Sequence, residues 1–431
     1  METMLYPKFW IDHTPNVDKV IATPEEIEVY NEKNIEVCKP IVDLENFKES
    51  FTKEELTRII QGVSTPSKAP RYTRDGKQVG EEYWKKLQNN LNIDRLSSIN
   101  QVKYAITTRR TEMKAFPTFD RLFSFPEDYK TDLLMETAVY PIEPMIILSE
   151  SADGQWYLAQ IYHYLAWIPA KDVAITDKNT LFSYVNRDKF LVVTARRVYT
   201  NYNPLNLKIS ELQLDMGVRI PLATEREMKE DFYDQSPVGN FVIKLPTRDN
   251  TGNLRFDYGL VPRLEDVSIG YLLYTKRNMI RQAFKFQGER YGWGGMFNGR
   301  DCTAFLVDIY RTMGIKLPRN SLEQGKMAVG VFHEMPEWMS LKERKKLLNQ
   351  LPCGAALYMD GHAMLYLGRY ENEYYMIHDF AGFYRENVEK LTYHTVYEVV
   401  VTPLSILTSS GKTYMEALYG AREFVLGDKY S

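Results

Sequence analysis

Residues 290–321 read RYGWGGMFNGRDCTAFLVDIYRTMGIKLPRNS. A glycine-rich approach here runs into a cysteine that opens a helix. Asp301 stands at the N-cap position and Cys302 follows it, while Leu306, Ile309, Tyr310 and Met313 recur at helical spacing as an apolar stripe. Gly314 sits where a left-handed residue ends a helix. At a helix start the unsatisfied backbone N–H groups and the dipole stabilise a thiolate. The position of Cys302 therefore predicts a lowered thiol pKa and donors for an oxyanion. The plain alternative is a small buried core cysteine. The glycines favour a nucleophile, because they let a substrate backbone come close.

A thiolate nucleophile needs a base. Downstream, AALYM (355–359), a turn at Asp360-Gly361, HAMLYLG (362–368), a turn near Glu371–Glu373 and YYMIHDF (374–380) read as successive strands. His362 opens a strand and shares a face with Met364, Tyr366 and Gly368. His378 shares a face with Tyr374 and Met376. If 368–375 is a hairpin, the two histidines lie on neighbouring strands, and His378 is placed to hold the tautomer of His362 as a third triad member does. A one-residue shift of register puts Asp379 there instead. A zinc site built from Cys302, His362 and His378 is the rival use: the ligand types fit, but no short ligand spacing supports it. His13, His163, His333 and His394 have no companions and read as structural.

Outward from this core, Thr275 caps a helix over 276–287, and Ser340 with Glu343 boxes the start of a Lys-rich helix with a solvated face. Upstream of residue 270 the periodicity is that of strands. VKYAITT, PMIILSE, WYLAQIY and AWIPAKDVA form one set; FLVVTA, MGVRIPLA, NFVIKL and FDYGLVP form another, with a turn at 249–253. Both sets end alike, Ala-Trp-Ile-Pro at 166–169 and Gly-Leu-Val-Pro at 259–262, which suggests two related small barrels. The first ~95 residues read as helical. Thr23-Pro24-Glu25-Glu26 and Thr52 with Glu55 are capping signatures, and Trp84, Leu87 and Leu91 share one helix face. The expected organisation is a helical segment at 1–97, barrels at 98–175 and 176–270, and an α+β domain at 271–431.

The chain has 431 residues with a net charge of −3 and 44% apolar residues, enough for roughly three folded domains. The near-neutral charge argues against duplex nucleic acid and anionic membrane as partners. Three cysteines, Cys38, Cys302 and Cys353, are no disulfide framework. Thirty tyrosines read as β-rich packing ahead of a peptide or sugar surface. No apolar run approaches the ~18 residues needed for a membrane span. METMLYPKFWIDHTPN lacks a basic then apolar export signal. The expectation is a cytoplasmic protein if the chain is complete, and an envelope or secreted one if a signal was trimmed.

The Tyr-x-Trp-Gly-Gly phrase, Asp-Cys at a helix start, Leu-Pro-Arg after that helix and a His opening a strand together resemble the NlpC-type cysteine peptidases of bacterial cell walls. The resemblance covers most of 275–400 and implies a papain-like catalytic domain. By it, Cys302 is the nucleophile, His362 the base, His378 the orienting residue and Tyr291 an oxyanion or transition-state contact. The upstream chain, with ITTRRTEMKAFPT, QWYLAQIYHYLAWIPAKD and MGVRIPLA, resembles a subgroup with a helical N-terminal domain and two bacterial Src-homology-3-like barrels. Members cleave between γ-D-glutamate and the following diamino acid and require a free N-terminal L-alanine. The resemblance implies that Tyr164 and Asp301 hold the substrate ammonium, with Thr303 and Ser321 lining the same pocket. Thr303-Ala304 replaces the usual Ser-Gly or Ser-Ser. Asn320 stands where an acidic residue is common. The interval from His362 to His378 is about four residues longer than usual, which a longer hairpin tip would absorb.

The function expected is hydrolysis of the γ-D-glutamyl–diamino acid bond of peptidoglycan stem peptides (L-Ala-γ-D-Glu-diamino acid) through a covalent acyl-enzyme, by a monomer without cofactor or metal. The alternatives are a non-catalytic wall-peptide binder and an acyltransferase using the same Cys/His pair.

Overall fold

The computed structural model describes residues 2–387 and 390–426. The chain is α+β and divides into two compact units. One comprises the chain up to Ile41, Tyr271–Gly292 and everything from Phe297; the other comprises Val42–Gly270 and Trp293–Met296. The segment expected to be helical, 1–97, is thus shared between them.

In the first unit, α1 (Pro7–His13) and α2 (Pro24–Val37) precede α3 (Lys276–Phe284), α4 (Cys302–Arg311), α5 (Ser321–Lys326), α6 (Leu341–Leu348) and the short α7 (Tyr414–Ala417). The capping signatures act as expected. Thr23 Oγ1 accepts from Glu26 N at 3.3 Å while Glu26 Oε2 accepts from Thr23 N at 2.7 Å. Ser340 and Glu343 do the same for α6, and Thr275 caps α3.

Among the described residues this unit's main sheet has six strands: β1 (Val331–Glu334), β2 (Ala356–Met359), β3 (His362–Tyr370), β4 (Glu373–Glu386), β5 (Leu391–Pro403) and β6 (Gly420–Glu423). Their order is β1-β6-β2-β3-β4-β5, antiparallel at every pairing. Leu365 pairs with Ile377 and Tyr366 with Met376. Because side chains alternate along a strand, His362, Met364 and Tyr366 share a face with Met376 and His378. Met364, Tyr366, Tyr374 and Met376 pack there with Leu348, Leu357 and Leu404 in one core. The long interval between the histidines does not lengthen the hairpin tip. Tyr370 pairs with Glu373, so the tip is tight, and the extra residues extend the ladder, with a bulge between Tyr366 and Gly368.

In the second unit, Lys53–Val63 and Glu81–Asn90 are helical. Leu87 and Leu91 are buried, and the Trp84 ring lies 5.6 Å from Phe116. A seven-stranded sheet follows in the order Val173–Thr176, Lys103–Thr107, Pro144–Glu150, Trp156–Ile161, Tyr164–Pro169, Thr111–Lys114, Met135–Val139. Its central strand, Trp156–Ile161, is buried at every residue, which is why WYLAQI reads as a nearly continuous apolar run. The second strand set forms smaller sheets. One has three strands, Arg219–Pro221, Phe190–Val193 and Val267–Ile269; another is the long hairpin of Asn240–Arg248 with Leu254–Pro262, closed by Asp249, whose Oδ1 accepts from Thr251 N and Asn253 N at 2.9 Å. Among the described residues no helix is long and apolar enough to cross a membrane.

Candidate active site

Cys302 is the first residue of α4, and Asp301 is its N-cap, with Oδ1 accepting from Ala304 N at 3.0 Å. The thiol is buried and receives the backbone N–H of Ala363, the residue after His362. Helix start and strand start are thereby brought together, although 60 residues of chain separate them. The expected low thiol pKa is not what the surroundings produce. Burial pushes the Cys302 thiol up to about 12, the Asp301 charge adds to this, and the Ala363 N–H and Arg319 oppose it. Loss of hydration pushes the His362 imidazole down to about 4. Both directions favour a neutral thiol beside a neutral imidazole at rest. The helix N-terminus is outweighed because the sulfur is out of water next to a carboxylate.

The two histidines meet. His362 Nε2 lies 2.8 Å from His378 Nδ1, and His378 Nε2 lies 2.9 Å from Thr402 Oγ1 on β5. His378 is fully buried. Phe380 stacks on it at 3.9 Å and 22°, and Tyr414 of α7 sits edge-on to both imidazoles at 6.0–6.2 Å. Asp379 does not face His362: alternation along β4 turns its side chain to the other face, and His378 makes the contact. That carboxyl is fully buried, and neither oxygen has a hydrogen-bond partner among the described residues. Burial, with Asp301, Glu289 and Glu398 nearby, raises its pKa well above the ordinary carboxyl value.

Asp301 does more than cap. Its Oδ2 accepts from Arg319 Nη2 at 2.6 Å, and Thr303 Oγ1 donates to its Oδ1 at 3.0 Å while accepting from Arg319 Nη1 at 2.5 Å. The carboxylate and hydroxyl expected to face substrate are therefore held in one buried network around Arg319. Ser321 opens α5, directly after Asn320, which replaces the acidic residue and forms a capping box with Glu323. Tyr291 lies near Cys302, Asp301 and Asp379, and burial with these acidic neighbours raises its pKa, so its hydroxyl remains a proton donor.

Two expected features lie in the second unit. The Tyr164 hydroxyl bonds the Glu136 carboxylate. The glycines of the Trp-Gly-Gly phrase serve packing: a Cβ on Gly295 (φ +96°) would stand 2.4 Å from Ala138 Cβ, and one on Gly294 (φ +59°) 2.8 Å from Met135 Cγ. It is strand Met135–Val139 that comes close to these glycines, where a substrate backbone was expected.

Arg319 and Thr402 were not singled out in the sequence. Arg319 carried a signal, the Leu-Pro-Arg phrase, without a role. Thr402 carried none, being 24 residues from His378. Arg300, in the glycine-rich approach, is buried between Glu289 at 2.7 Å and Asp308 at 2.5 Å and ties that approach to α4. Among the described residues no group of three His, Cys, Asp or Glu side chains is placed to hold a metal ion.

Known proteins share the fold and the domain stretches of this chain. The fold is shared with an NlpC/P60 endopeptidase from Photobacterium damselae subsp. piscicida, at 18% identity and a TM-score of 0.77 over 97% of each chain. A gamma-D-glutamyl-L-lysine dipeptidyl-peptidase of Bacillus cereus is 24% identical over 172 residues, 40% of this chain and 46% of that protein, so the match spans about half the relative's length. Residues 117–169 match an SH3 domain of the SH3b1 type and residues 288–399 match the NlpC/P60 family. The cysteine at a helix start and the imidazoles of His362 and His378 thus lie within the stretch that matches the NlpC/P60 family, carried in one chain with a stretch that matches an SH3 domain of the SH3b1 type.

Proposed function

We propose that the protein hydrolyses the γ-D-glutamyl–diamino acid bond of peptidoglycan stem peptides that carry a free N-terminal L-alanine. The observation that carries this reading is the Cys302 thiol against the start of β3, where His362 is held by His378. On substrate binding His362 takes the thiol proton, the sulfur attacks the amide carbonyl, and the proton returns to the leaving amine. Water then releases the acyl group. Backbone donors at the start of α4 and the Tyr291 hydroxyl are suited to the oxyanion. The name of the Bacillus cereus relative supports the bond assignment.

Tyr164 and Asp301 are proposed to read the amine, with Thr303 and Ser321 lining the pocket. A phenol that donates its hydrogen to Glu136 still presents oxygen lone pairs to an ammonium. The test is mass spectrometry of L-Ala-γ-D-Glu-diamino acid incubated with the full chain and with Cys302→Ala. Hydrolysis by the first alone is expected. A new conjugate would show a transferase, and unchanged peptide would overturn the reading.

A further inference from the structure

The imidazole row has an end, and the end decides which way the row points. His362, His378 and Thr402 lie on the three adjacent strands β3, β4 and β5. The pairing of Leu365 with Ile377 sets Met364 opposite His378, and Val400 is opposite His378 on the other side. His362 and Thr402 are therefore its diagonal neighbours, two residues off in register, and contacts of 2.8 and 2.9 Å join them. Phe380 and Tyr414 pack against the His378 ring.

A neutral imidazole carries one N–H and one lone pair. His362 Nε2 is engaged with His378, so Nδ1 is the atom that must accept the thiol proton. That requires the hydrogen on Nε2, donated to His378 Nδ1. His378 must then carry its own hydrogen on Nε2 and donate it to Thr402 Oγ1. With the opposite polarity Thr402 donates, His378 Nδ1 donates to His362 Nε2, and His362 holds its hydrogen on Nδ1, where it cannot accept from the thiol.

We propose that Thr402 is a positioning residue, the terminal acceptor that sets both imidazoles in the tautomer able to deprotonate Cys302. The inference rests on the peptidase reading for its activity measurement only. Without the hydroxyl, the buried His378 Nε2–H has no acceptor. Orphaned buried donors are rarer than orphaned acceptors, so the row reverses.

The experiment compares wild type, Thr402→Val and Thr402→Ser as full chains. Cleavage of the tripeptide is followed together with nitrogen-15 NMR of the histidine rings, which reports the protonated nitrogen directly. Thr402→Val, close in shape, is expected to lower kcat by roughly 5- to 150-fold with little change in KM, the cost of an unsatisfied buried polar group expressed as a rate. His362 should move from the Nε2–H to the Nδ1–H form. Thr402→Ser should retain both rate and tautomer, which a purely structural role for the methyl group would not predict. A folded Thr402→Val with wild-type kcat, or an unchanged His362 tautomer, overturns the proposal. If wild type leaves the tripeptide intact, the substrate reading fails while the ring signals still decide the tautomer question. If Thr402→Val does not fold, a Thr402→Ser protein showing the Nδ1–H form of His362 overturns it.

Discussion

Arg319 is the residue whose removal tests the site most sharply. Its guanidinium pairs with Asp301 at 2.6 Å, the two side chains being 5% and 11% exposed, and it also donates to Thr303. Arg319→Gln removes the positive charge and leaves the Asp301 carboxylate out of water beside a buried thiol. Breaking one side of a buried ion pair costs about 3–5 kcal/mol, because the remaining charge has lost its compensation. For a unit of roughly 200 residues, each kcal/mol lowers the melting temperature by about 2–4 °C, so a loss of roughly 6–20 °C is expected. The thiol should become harder to ionise, since Arg319 lowers its pKa and Asp301 raises it. The assays are thermal melting and the pH dependence of Cys302 alkylation, with the modified peptide identified by mass spectrometry. Asp301→Asn should speed alkylation at neutral pH. The double variant should melt above Arg319→Gln, because the uncompensated charge is gone. The reasoning is refuted if Arg319→Gln melts within 2–3 °C of wild type, or if the double variant recovers nothing.

Further outcomes follow from the same electrostatics. With the thiol near 12 and His362 near 4, alkylation of Cys302 should rise about tenfold per pH unit from 6 to 10 without a plateau, and kcat/KM should fall only as the pH drops toward 4. A plateau in alkylation below pH 7 would instead show a resident thiolate–imidazolium pair. Asp379 holds its proton in the fold but loses it near 3.8 when unfolded, so wild type loses stability as pH rises above that value. Asp379→Asn removes this dependence. The melting temperature of the variant minus that of wild type should therefore increase between pH 4 and 7, and a constant difference would show an ionised Asp379. Acetylating the tripeptide amine removes its charge and all but one of its N–H donors, with an expected loss of about 10-fold or more; Tyr164→Phe removes one acceptor and should cost less. Equal turnover of free and acetylated peptide would mean that the amine is not read.

Much of this was legible in the chain. Capping boxes at Thr23, Thr52 and Ser340 work within one helical turn, so local sequence determines them. The same holds for Cys302 at a helix start and for the alternation that sets His362 and His378 on one face, because helix and strand periods are local geometry. The glycine phrase was visible too, but only packing showed that Gly294 and Gly295 make room for strand Met135–Val139. Register decided between His378 and Asp379, and a single-residue slip would have exchanged them. The protonation of the site was beyond reach of the sequence. A helix N-terminus argues for a thiolate, and only the burial of the sulfur beside Asp301, itself held by Arg319, reverses that. Thr402 meets His378 from a strand 24 residues away, with no motif to announce it. What the sequence determined by itself was the candidate groups, Cys302, His362 and His378, and the elements that carry them. Tertiary structure decided their burial and their hydrogen-bond partners, because desolvation and partners distant in the chain arise only when the strands and α4 come together.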